Sequence, residues 1–396
     1  MPVASVTGPR LLRTPGLLAA LVMGAAAFGG WAVLLPVVPL IVSLSGGSDT
    51  LAGGVTAVFM AATVLTQFGV PRLLRRWGYR WVLAAGCLLL GPPSLLFLLS
   101  TEAIPVLAVS AVRGAGFGML TVAGSALVAE LVPREMLGRA TGAQGIAVAA
   151  AQMVGLPAGL AIMQHWSATP VFVLGALIPL LAVGAVTRLP HLHPRPAGTA
   201  RGRLPLSVRL VPWLSIATVA AAFGGVSSLL PIAIAERASL AGGVLAVVSG
   251  AAVCGRYAAG SFSDRVGVGR ALMPALAFTC GGLALFAVAA RNGDWIVLVC
   301  AAVMFGFGFG AVQNESLVMI FTAAGPARFG AASAGWNIGF DAGTGFGSLT
   351  LGAVASVAGY SWVFAVAAMA VAVVPATGML VGRALGGRTR PDRIDS

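Results

Sequence analysis

The sequence predicts an all-α membrane protein with twelve transmembrane helices, and two observations support that prediction. Hydrophobic residues make up 58% of the 396 residues and charged residues only 9%, whereas soluble globular domains hold about 25% charged residues. Apolar stretches long enough to cross a bilayer as a helix recur throughout the chain. Runs such as 82–99 do not alternate between apolar and polar residues, which excludes a membrane β-barrel.

The spans are separated by charged, Pro/Gly-rich or Ser/Thr-rich gaps. The longest polar gap runs from Arg188 to Arg209, holds several prolines and glycines, and contains no acid, as expected of a flexible linker. The predicted organisation is an amino-terminal six-helix half over 1–187, a linker over 188–210 and a carboxy-terminal six-helix half over 211–396. The twelve predicted spans are 15–42, 51–71, 80–100, 104–130, 138–163, 170–187, 211–234, 240–263, 270–290, 295–323, 330–357 and 361–382.

The basic residues predict the topology. All 24 are arginine, and the formal net charge is +13. Arg113 and Arg256 lie inside spans, and Arg237 and Arg291 lie in gaps on one side of the membrane. All other arginines lie in gaps and tails on the opposite side, which the positive-inside rule makes the cytoplasmic side. We therefore expect a multi-pass plasma-membrane protein with both termini and the linker in the cytoplasm. The anionic lipid bilayer is the expected neighbour of these arginines, and no basic domain remains to bind nucleic acid.

The second half of the chain repeats the first. Residues 25–36 read AAAFGGWAVLLP and residues 220–231 read AAAFGGVSSLLP, while the glycine string 114–118 recurs at 306–310. Two copies of six spans run in the same direction, so a pseudo-two-fold axis along the membrane normal is expected to relate them. The glycine strings resemble nucleotide-binding loops, but they lack the required preceding strand, and we expect them to pack helices closely together.

With these motifs, the sequence resembles the major facilitator superfamily over essentially its whole length. The family's loop signature between spans two and three appears in the second half as Gly260-Ser-Phe-Ser-Asp264-Arg265-Val-Gly267. Its first-half copy is altered, because Pro71 replaces the glycine and Arg75 the aspartate. The span-four signature is present as Arg113-Gly114-Ala-Gly116, and the span-five signature of proton antiporters survives weakly as Gly155-Leu-Pro157-Ala-Gly159.

The resemblance implies secondary active transport by two rocking halves. It favours the drug:proton antiporter branch, and hence proton-coupled efflux of a small organic compound such as a drug, a metabolite or a siderophore-like molecule. The expected driving force is the proton gradient, without a cofactor, and the expected unit is a monomer. The chain has no lysine for an ATP-binding loop, no metal-ligand spacing and no catalytic cluster, so an enzyme is not expected. Proton-driven uptake of a nutrient and a non-transporting substrate sensor remain alternatives.

Ionisable residues inside the spans are the first candidates for function, since each costs about 2.5–3.5 kcal/mol at the centre of a membrane helix. Helix rise places Arg113 and Asp341 close to the midplane, and Glu315 and Arg256 nearer the cytoplasm. We predict that Asp341 carries the coupling proton, with Arg113 opposing its protonation and Glu315 as the competing site. The alternative is that these groups only fix helix packing.

A cytoplasmic gate is predicted where the two loop signatures meet the opposite halves. Asp264 is expected to pair with Arg139, and Glu130 to pair with Arg75, Arg76 or Arg328. Arg265 and Arg256 complete the predicted gate.

The substrate cavity is predicted from the resemblance, which places spans one, four, seven and ten around it. An aromatic wall with scattered hydroxyl and amide groups suits a small amphipathic solute, although packing alone also explains aromatic residues in apolar helices. The predicted cavity residues are Phe28, Trp31, Phe117, Phe223, Ser227, Ser228, Phe307, Gln313, Asn314 and Asn337.

Overall fold

The computed structural model describes residues 14–133, 136–189, 206–234, 238–325 and 329–387. These residues form helices joined by short connections, which confirms the predicted all-α class. The α-helices are α1 (Leu17–Leu34), α2 (Val37–Leu44), α3 (Asp49–Leu90), α4 (Ala103–Leu131), α5 (Leu137–His165), α6 (Ala168–Val186), α7 (Leu206–Ala233), α8 (Ala238–Val266), α9 (Leu272–Asn292), α10 (Trp295–Ala324), α11 (Phe329–Ala358) and α12 (Tyr360–Gly387), with a 3₁₀-helix at Pro92–Leu98.

The helices correspond to the twelve predicted spans. Ten stretches of the described residues are long and apolar enough to cross a membrane, and α1 and α2 together form the first of them. The stretch Asp49–Leu98 is 50 residues long and holds two spans, because α3 is kinked at Gly78 (φ 75°, ψ 173°), a conformation open to glycine alone. Dividing that stretch and adding α11 accounts for all twelve spans.

Glycines bring the helices of each half into backbone contact. A Cβ atom at Gly114 of α4 would collide with the carbonyl group of Phe59 in α3. In the second half, a Cβ atom at Gly306 of α10 would collide with the carbonyl group of Val248 in α8. The repeated glycine strings therefore have the predicted packing role, and the same crossing occurs in both halves.

The two halves meet along α3 and α11. Tyr360 donates a hydrogen bond of 2.8 Å to Asp49, and the hydroxyl groups of Thr50 and Ser356 lie 3.0 Å apart. We call this end of the bundle the outer end, and the opposite end, which holds Arg75 and Asp264, the inner end. The contact continues from the outer end to Gln67, which is about 27 Å along α3 at 1.5 Å per residue.

The connection between the halves is described only in part. Helix α6 ends at Val186 and α7 begins at Leu206, and Arg80 donates hydrogen bonds to the carbonyl groups of Thr187 (2.9 Å) and Leu189 (2.8 Å) at the end of α6. Residues 190–205 lie outside the described residues. The division at 187 and 211 and the cytoplasmic position of the linker therefore stay predictions.

Candidate functional site

A pocket with about 350 Å³ of empty space, part of it open to solvent, lies between the two halves. We call it the interface pocket. Helix α5 of the first half forms one wall with Ala149, Gln152, Met153 and Leu156, and α8 of the second half forms another with residues at the same spacing, Ser249, Ala252, Val253 and Arg256. This spacing of three, four and seven residues places each set on one helix face. Phe223, Val248, Phe309 and Gln313 complete the lining.

Arg256 supplies the charge of the interface pocket. Its Nε atom donates a 2.9 Å hydrogen bond to Oε1 of Gln313, and its Nη2 atom donates to the same oxygen. Among the residues that the structure describes, no acid contacts this guanidinium. Ser249 lies two helical turns before Arg256 on the same face of α8, and its buried hydroxyl oxygen has no hydrogen-bond partner in the described structure. The pocket therefore combines a cation without a counterion and a free hydroxyl.

The apolar wall of the interface pocket is aromatic. The rings of Phe223 in α7 and Phe309 in α10 stack with centroids 4.6 Å apart and an angle of 10° between their planes. Phe309 continues the stack to Phe305, whose ring centroid is 5.8 Å away. Phe223 and Gln313 line the interface pocket, whereas Phe307 packs on Phe278 of α9 and is not among its lining residues.

A second pocket, with about 290 Å³ of empty space that is partly open to solvent, lies within the first half, and we call it the amino-half pocket. Its lining includes Trp31 of α1, Thr56 and Phe59 of α3, and Ser110 and Arg113 of α4. Both the Trp31 indole nitrogen and the Ser110 hydroxyl oxygen are buried without a hydrogen-bond partner in the described structure. Within the part of the chain that the structure describes, no residue of the second half lines this pocket.

Arg113 is held entirely by the first half. It donates hydrogen bonds to the carbonyl groups of Leu90 (3.1 Å) and Gly30 (3.3 Å). Its guanidinium carbon lies 5.6 Å from the ring centroid of Phe59 and 5.7 Å from that of Phe97, within the range of cation–π attraction. Carbonyl oxygens and aromatic rings therefore replace water around this charge.

Asp341 is buried at the contact between the halves. Its Oδ2 atom accepts a 2.7 Å hydrogen bond from Nε2 of Gln67 in α3, and the same nitrogen also donates to the Thr121 hydroxyl at 3.3 Å. Asp341 is only 4% exposed. Thr121 lies eight residues after Arg113 on α4, which is about 12 Å along the helix. The structure therefore does not bring Asp341 and Arg113 together, and Gln67 is the partner instead.

Glu315 is fully buried and bound to the loop signature of the second half. Its two carboxylate oxygens accept hydrogen bonds from the hydroxyl group of Ser263 and from the backbone N–H group of Gly269. Gly269 has φ 92° and thus needs to be glycine. Glu315 does not line the interface pocket. The structure gives it the geometry of a group that fixes the α8–α9 connection.

The predicted gate residues are exposed at the inner end. Asp264 and Arg265 are exposed at the end of α8, and Arg75 and Arg76 are exposed in α3. Glu130 is half-buried near the end of α4. The side chain of Arg139 and the whole of Arg328 lie outside the described residues, so the predicted pairs of Asp264 and Glu130 with them stay predictions. Arg256 lies away from these residues, in the interface pocket.

The remaining predicted cavity residues lie around the two pockets. Phe28, Trp31 and Phe117 form one aromatic cluster, in which Phe117 packs 4.9 Å from Phe28 and 5.4 Å from Trp31. Only Trp31 of the three lines the amino-half pocket. Three of the other four residues are hydrogen-bonded within the protein: Ser227 to the Phe223 carbonyl, Ser228 to the Thr56 hydroxyl and Asn337 to the Ser333 carbonyl. The fourth, Asn314, has a buried amide nitrogen without a partner in the described structure.

Several functional candidates escaped the sequence analysis, of which Gln67 is the most informative. Thr56, Thr63 and Gln67 lie on one face of α3 at spacings of seven and four residues, and all three are buried. A polar stripe on one face of an apolar span indicates a buried polar contact, and this pattern could have identified Gln67 from the sequence. Phe309 was missed in favour of Phe307, and Ser249 was missed because a single serine in a span is common. Within the described ranges, no group of three His, Cys, Asp or Glu side chains could hold a metal ion.

Comparison with known proteins identifies the family and the fold of this chain. The family model of the Major Facilitator Superfamily matches residues 20–334. A mutant of the nucleoside transporter NupG aligns with 12% identity over 92% of this chain and 99% of its own, at a TM-score of 0.72. A bacterial homologue of the human lysosomal transporter Spinster, inward-facing and unoccupied, aligns with 14% identity over 97% and 100% of the two chains, at a TM-score of 0.70. At such identities the likeness concerns the fold.

Proposed function

Because the chain belongs to the Major Facilitator Superfamily and is a multi-pass membrane transporter rather than an enzyme, we propose that it exports a small organic compound in exchange for protons. We place it in the plasma membrane as a monomer, with both termini in the cytoplasm and with the drug:proton antiporters as its branch of the family. The observation that supports this proposal most is the interface pocket, because both halves line it. A solute bound there changes its contacts when the halves rock, as alternating access requires.

The contacts between the halves support an inward-open assignment for this conformation. The described contacts extend along α3 and α11 from the outer end to the Gln67–Asp341 bond, and Gly242 of α8 lies beside Pro157 of α5 towards the same end. Asp264 and Arg75 at the inner end are exposed. With the predicted topology, the outer end faces the outside of the cell and is closed.

Asp341 is the proposed proton carrier, because its hydrogen bond joins the two halves. Burial of Asp341 penalises the charged carboxylate. The bond from Gln67 favours the charged form, since hydrogen bonds to ionised acceptors are about twice as strong as neutral ones. Protonation of Asp341 therefore weakens a contact between α3 and α11 and promotes their separation. In this way one proton changes the balance between the two orientations of the transporter.

The test compares driven transport with exchange in the same proteoliposomes. The solute is first identified as the compound to which a deletion strain is sensitive or which it retains. Asp341→Asn keeps a neutral group in place, so we expect equilibrium exchange of that solute to persist and transport driven by a pH gradient to disappear. Glu315→Gln is the matched control, since Glu315 is the other intramembrane acid of the described residues and it is bound to a loop.

Each outcome has a definite meaning for the proposal. Driven transport that survives Asp341→Asn and is lost in Glu315→Gln transfers the coupling role to Glu315. Loss of both activities in both variants leaves packing as the role of both acids. Absence of counterflow with the unmodified protein favours the sensor alternative. Accumulation in right-side-out vesicles that are acidic outside favours proton-driven uptake over efflux.

The gate is proposed to form when the inner end closes. Asp264, exposed in this conformation, would then pair with Arg139, and Glu130 with the arginines of the α3 end or Arg328. Such exposed pairs contribute about 0–1 kcal/mol each, enough to shift a balanced equilibrium between two states. We expect Asp264→Asn to raise the labelling of cysteines on the inner side and to slow transport. Unchanged labelling and rate would remove Asp264 from the gate.

A further inference from the structure

We propose that the interface pocket is an anion site, and that the compound carried is a small aromatic or otherwise apolar molecule with one carboxylate or similar anionic group. The inference rests on the proposed function, whose solute it narrows to organic anions. It joins three features of the same pocket: the Arg256 guanidinium, the Ser249 hydroxyl and the stacked rings of Phe223 and Phe309.

The charge of Arg256 is the first step. A guanidinium offers five N–H donors, and the two described hydrogen bonds of Arg256 both end on one amide oxygen, Oε1 of Gln313. A neutral oxygen does not compensate a full positive charge in a low-dielectric site. A carboxylate does, and its two oxygens match the fork of an arginine. The pocket is thus complementary to an anion and incomplete without one.

The acids of the membrane region point the same way. Among the described residues, the acids in the interior of the spans are Glu315 and Asp341. Glu315 is occupied by Ser263 and Gly269, and Asp341 by Gln67. Neither lines the interface pocket. A cationic solute in this pocket would therefore meet Arg256 and no counterion, which costs free energy.

The other groups of the pocket fit the rest of such a solute. The free Ser249 hydroxyl lies two turns before Arg256 on the same face of α8, and Gln152 lines the pocket from α5 of the other half. Each can donate a hydrogen bond to a polar atom of the solute, so the solute would contact both halves. The rings of Phe223 and Phe309, with Leu156 beside them, offer an apolar surface for the body of the molecule.

The amino-half pocket does not offer an equivalent site. Arg113 donates to two backbone carbonyl groups and lies against two aromatic rings. Like Arg256, Arg113 has no acid among its described partners, but it has more of them and they all belong to its own half. The described residues that line that pocket also belong to the first half, so a ligand there would gain little differential contact when the halves move.

The test measures binding by calorimetry to the full chain in detergent, with three probes that share one ring system. Naphthoate is the anion, naphthamide its neutral analogue and naphthylmethylammonium the cation. We expect naphthoate to bind at least about ten times more tightly than naphthamide, and the ammonium compound to bind least. Because calorimetry needs no gradient or movement, binding can succeed where transport fails, which separates this proposal from the proposed function.

Variants assign the preference to Arg256. Arg256→Gln should remove the preference for naphthoate over naphthamide, because naphthoate loses a charged partner and naphthamide loses only a hydrogen-bond donor. Arg256→Lys, which keeps the charge, should retain the preference with weaker binding. Arg291→Gln is the matched control, because Arg291 is exposed and lies over the ring of Trp362, outside both pockets. It should bind all three probes as the unmodified protein does.

Three results would overturn the proposal. The first is equal binding of naphthoate and naphthamide to the unmodified protein. The second is tighter binding of the ammonium compound than of naphthoate. The third is a preference for naphthoate that survives Arg256→Gln in a protein whose thermal unfolding is unchanged, or that is lost equally in Arg291→Gln.

Discussion

Among the described residues, each half of the transporter has one arginine in the interior of a span, and the surroundings of the two differ: Arg113 is buried and Arg256 is half-buried. Arg113 in the first half donates to the carbonyl groups of Leu90 and Gly30 and is covered by two rings. Arg256 in the second half donates to Gln313 and borders a cavity that the first half also lines. The same chemical group is therefore satisfied by its own half in one case and open to a ligand in the other.

The difference shows how position, and not residue type, decides the role of a charge in a membrane. An arginine at the centre of a membrane helix costs about 2.5–3.5 kcal/mol on insertion scales. The fixed contacts of Arg113 offset this cost, and the side chain becomes part of the packing of α1, α3 and α4. Arg256 is compensated by one amide oxygen, so an anion that binds beside it removes a cost that the protein otherwise bears.

The largest effect is expected in stability. Arg113→Ala removes two carbonyl bonds and leaves a hole between Phe59 and Phe97, so we expect a loss of about 2–4 kcal/mol in the free energy of unfolding, as for other large-to-small changes in a packed interior. Arg256→Ala only enlarges an existing cavity and should cost less than about 1 kcal/mol. Thermal unfolding of both variants in the same detergent checks this, and equal losses would break the comparison.

The next effect concerns the partner of Arg256. Gln313→Glu places a carboxylate where the amide oxygen now accepts from the guanidinium, so the site becomes internally neutral. We expect naphthoate to bind about 10–100 times more weakly, the equivalent of about 1.4–2.8 kcal/mol. Calorimetry measures the loss. Asn337→Asp is the control, because it adds the same charge on α11, outside the pocket, and unchanged naphthoate binding in Gln313→Glu would argue against an anion site.

A smaller effect is expected from the wall of the first half. Gln152→Ala on α5 removes one hydrogen-bond donor from the interface pocket and leaves Arg256 in place, so naphthoate should bind about 2–10 times more weakly, as for the loss of one hydrogen bond of about 0.5–1.5 kcal/mol. Gln144→Ala is the control, because Gln144 lies about two turns before Gln152 on the same helix and is not among the pocket-lining residues. If both variants bind alike, the anion contacts only the second half.

The smallest effect on binding is expected for the other intramembrane acid of the second half. Glu315→Gln should change naphthoate affinity less than about twofold, because Glu315 contacts the α8–α9 connection and not the pocket. It should instead raise the hydrogen-exchange rate of the Gly269 amide, whose bond to a charged acceptor becomes a weaker bond to a neutral one. A large fall in affinity with unchanged exchange would place Glu315 in the binding site.

The fold was predictable because its signals are local. Span length, the positions of arginines and the repeated glycines all read along the chain, and the structure confirms the all-α class and the packing role of the glycines. Buried charges were also visible, since an ionisable residue in an apolar span stands out. This is how Asp341, Arg113, Glu315 and Arg256 became candidates.

The partners of these residues were not predictable, because a partner depends on distant contacts and on helix rotation. The bond from Gln67 to Asp341 joins residues 274 positions apart. Phe307 was predicted to line the substrate cavity, and in the structure Phe309 lines the interface pocket instead, because residues two apart on an α-helix point about 160° away from each other. Glu315 was placed at the proton path from its depth alone, whereas its contacts lie in a loop that follows another helix.

The glycine contact between α3 and α11 gives the outer end a mechanical limit. A Cβ atom at Gly53 would collide with the carbonyl group of Ser348, so the two backbones already touch and cannot be pressed closer. The proposed rocking motion therefore meets a steric limit at this end, set by van der Waals contact between two backbones rather than by an ion pair. Contact of this kind is not screened by dissolved ions. The angle between the halves in this conformation should accordingly be the same at low and at high ionic strength.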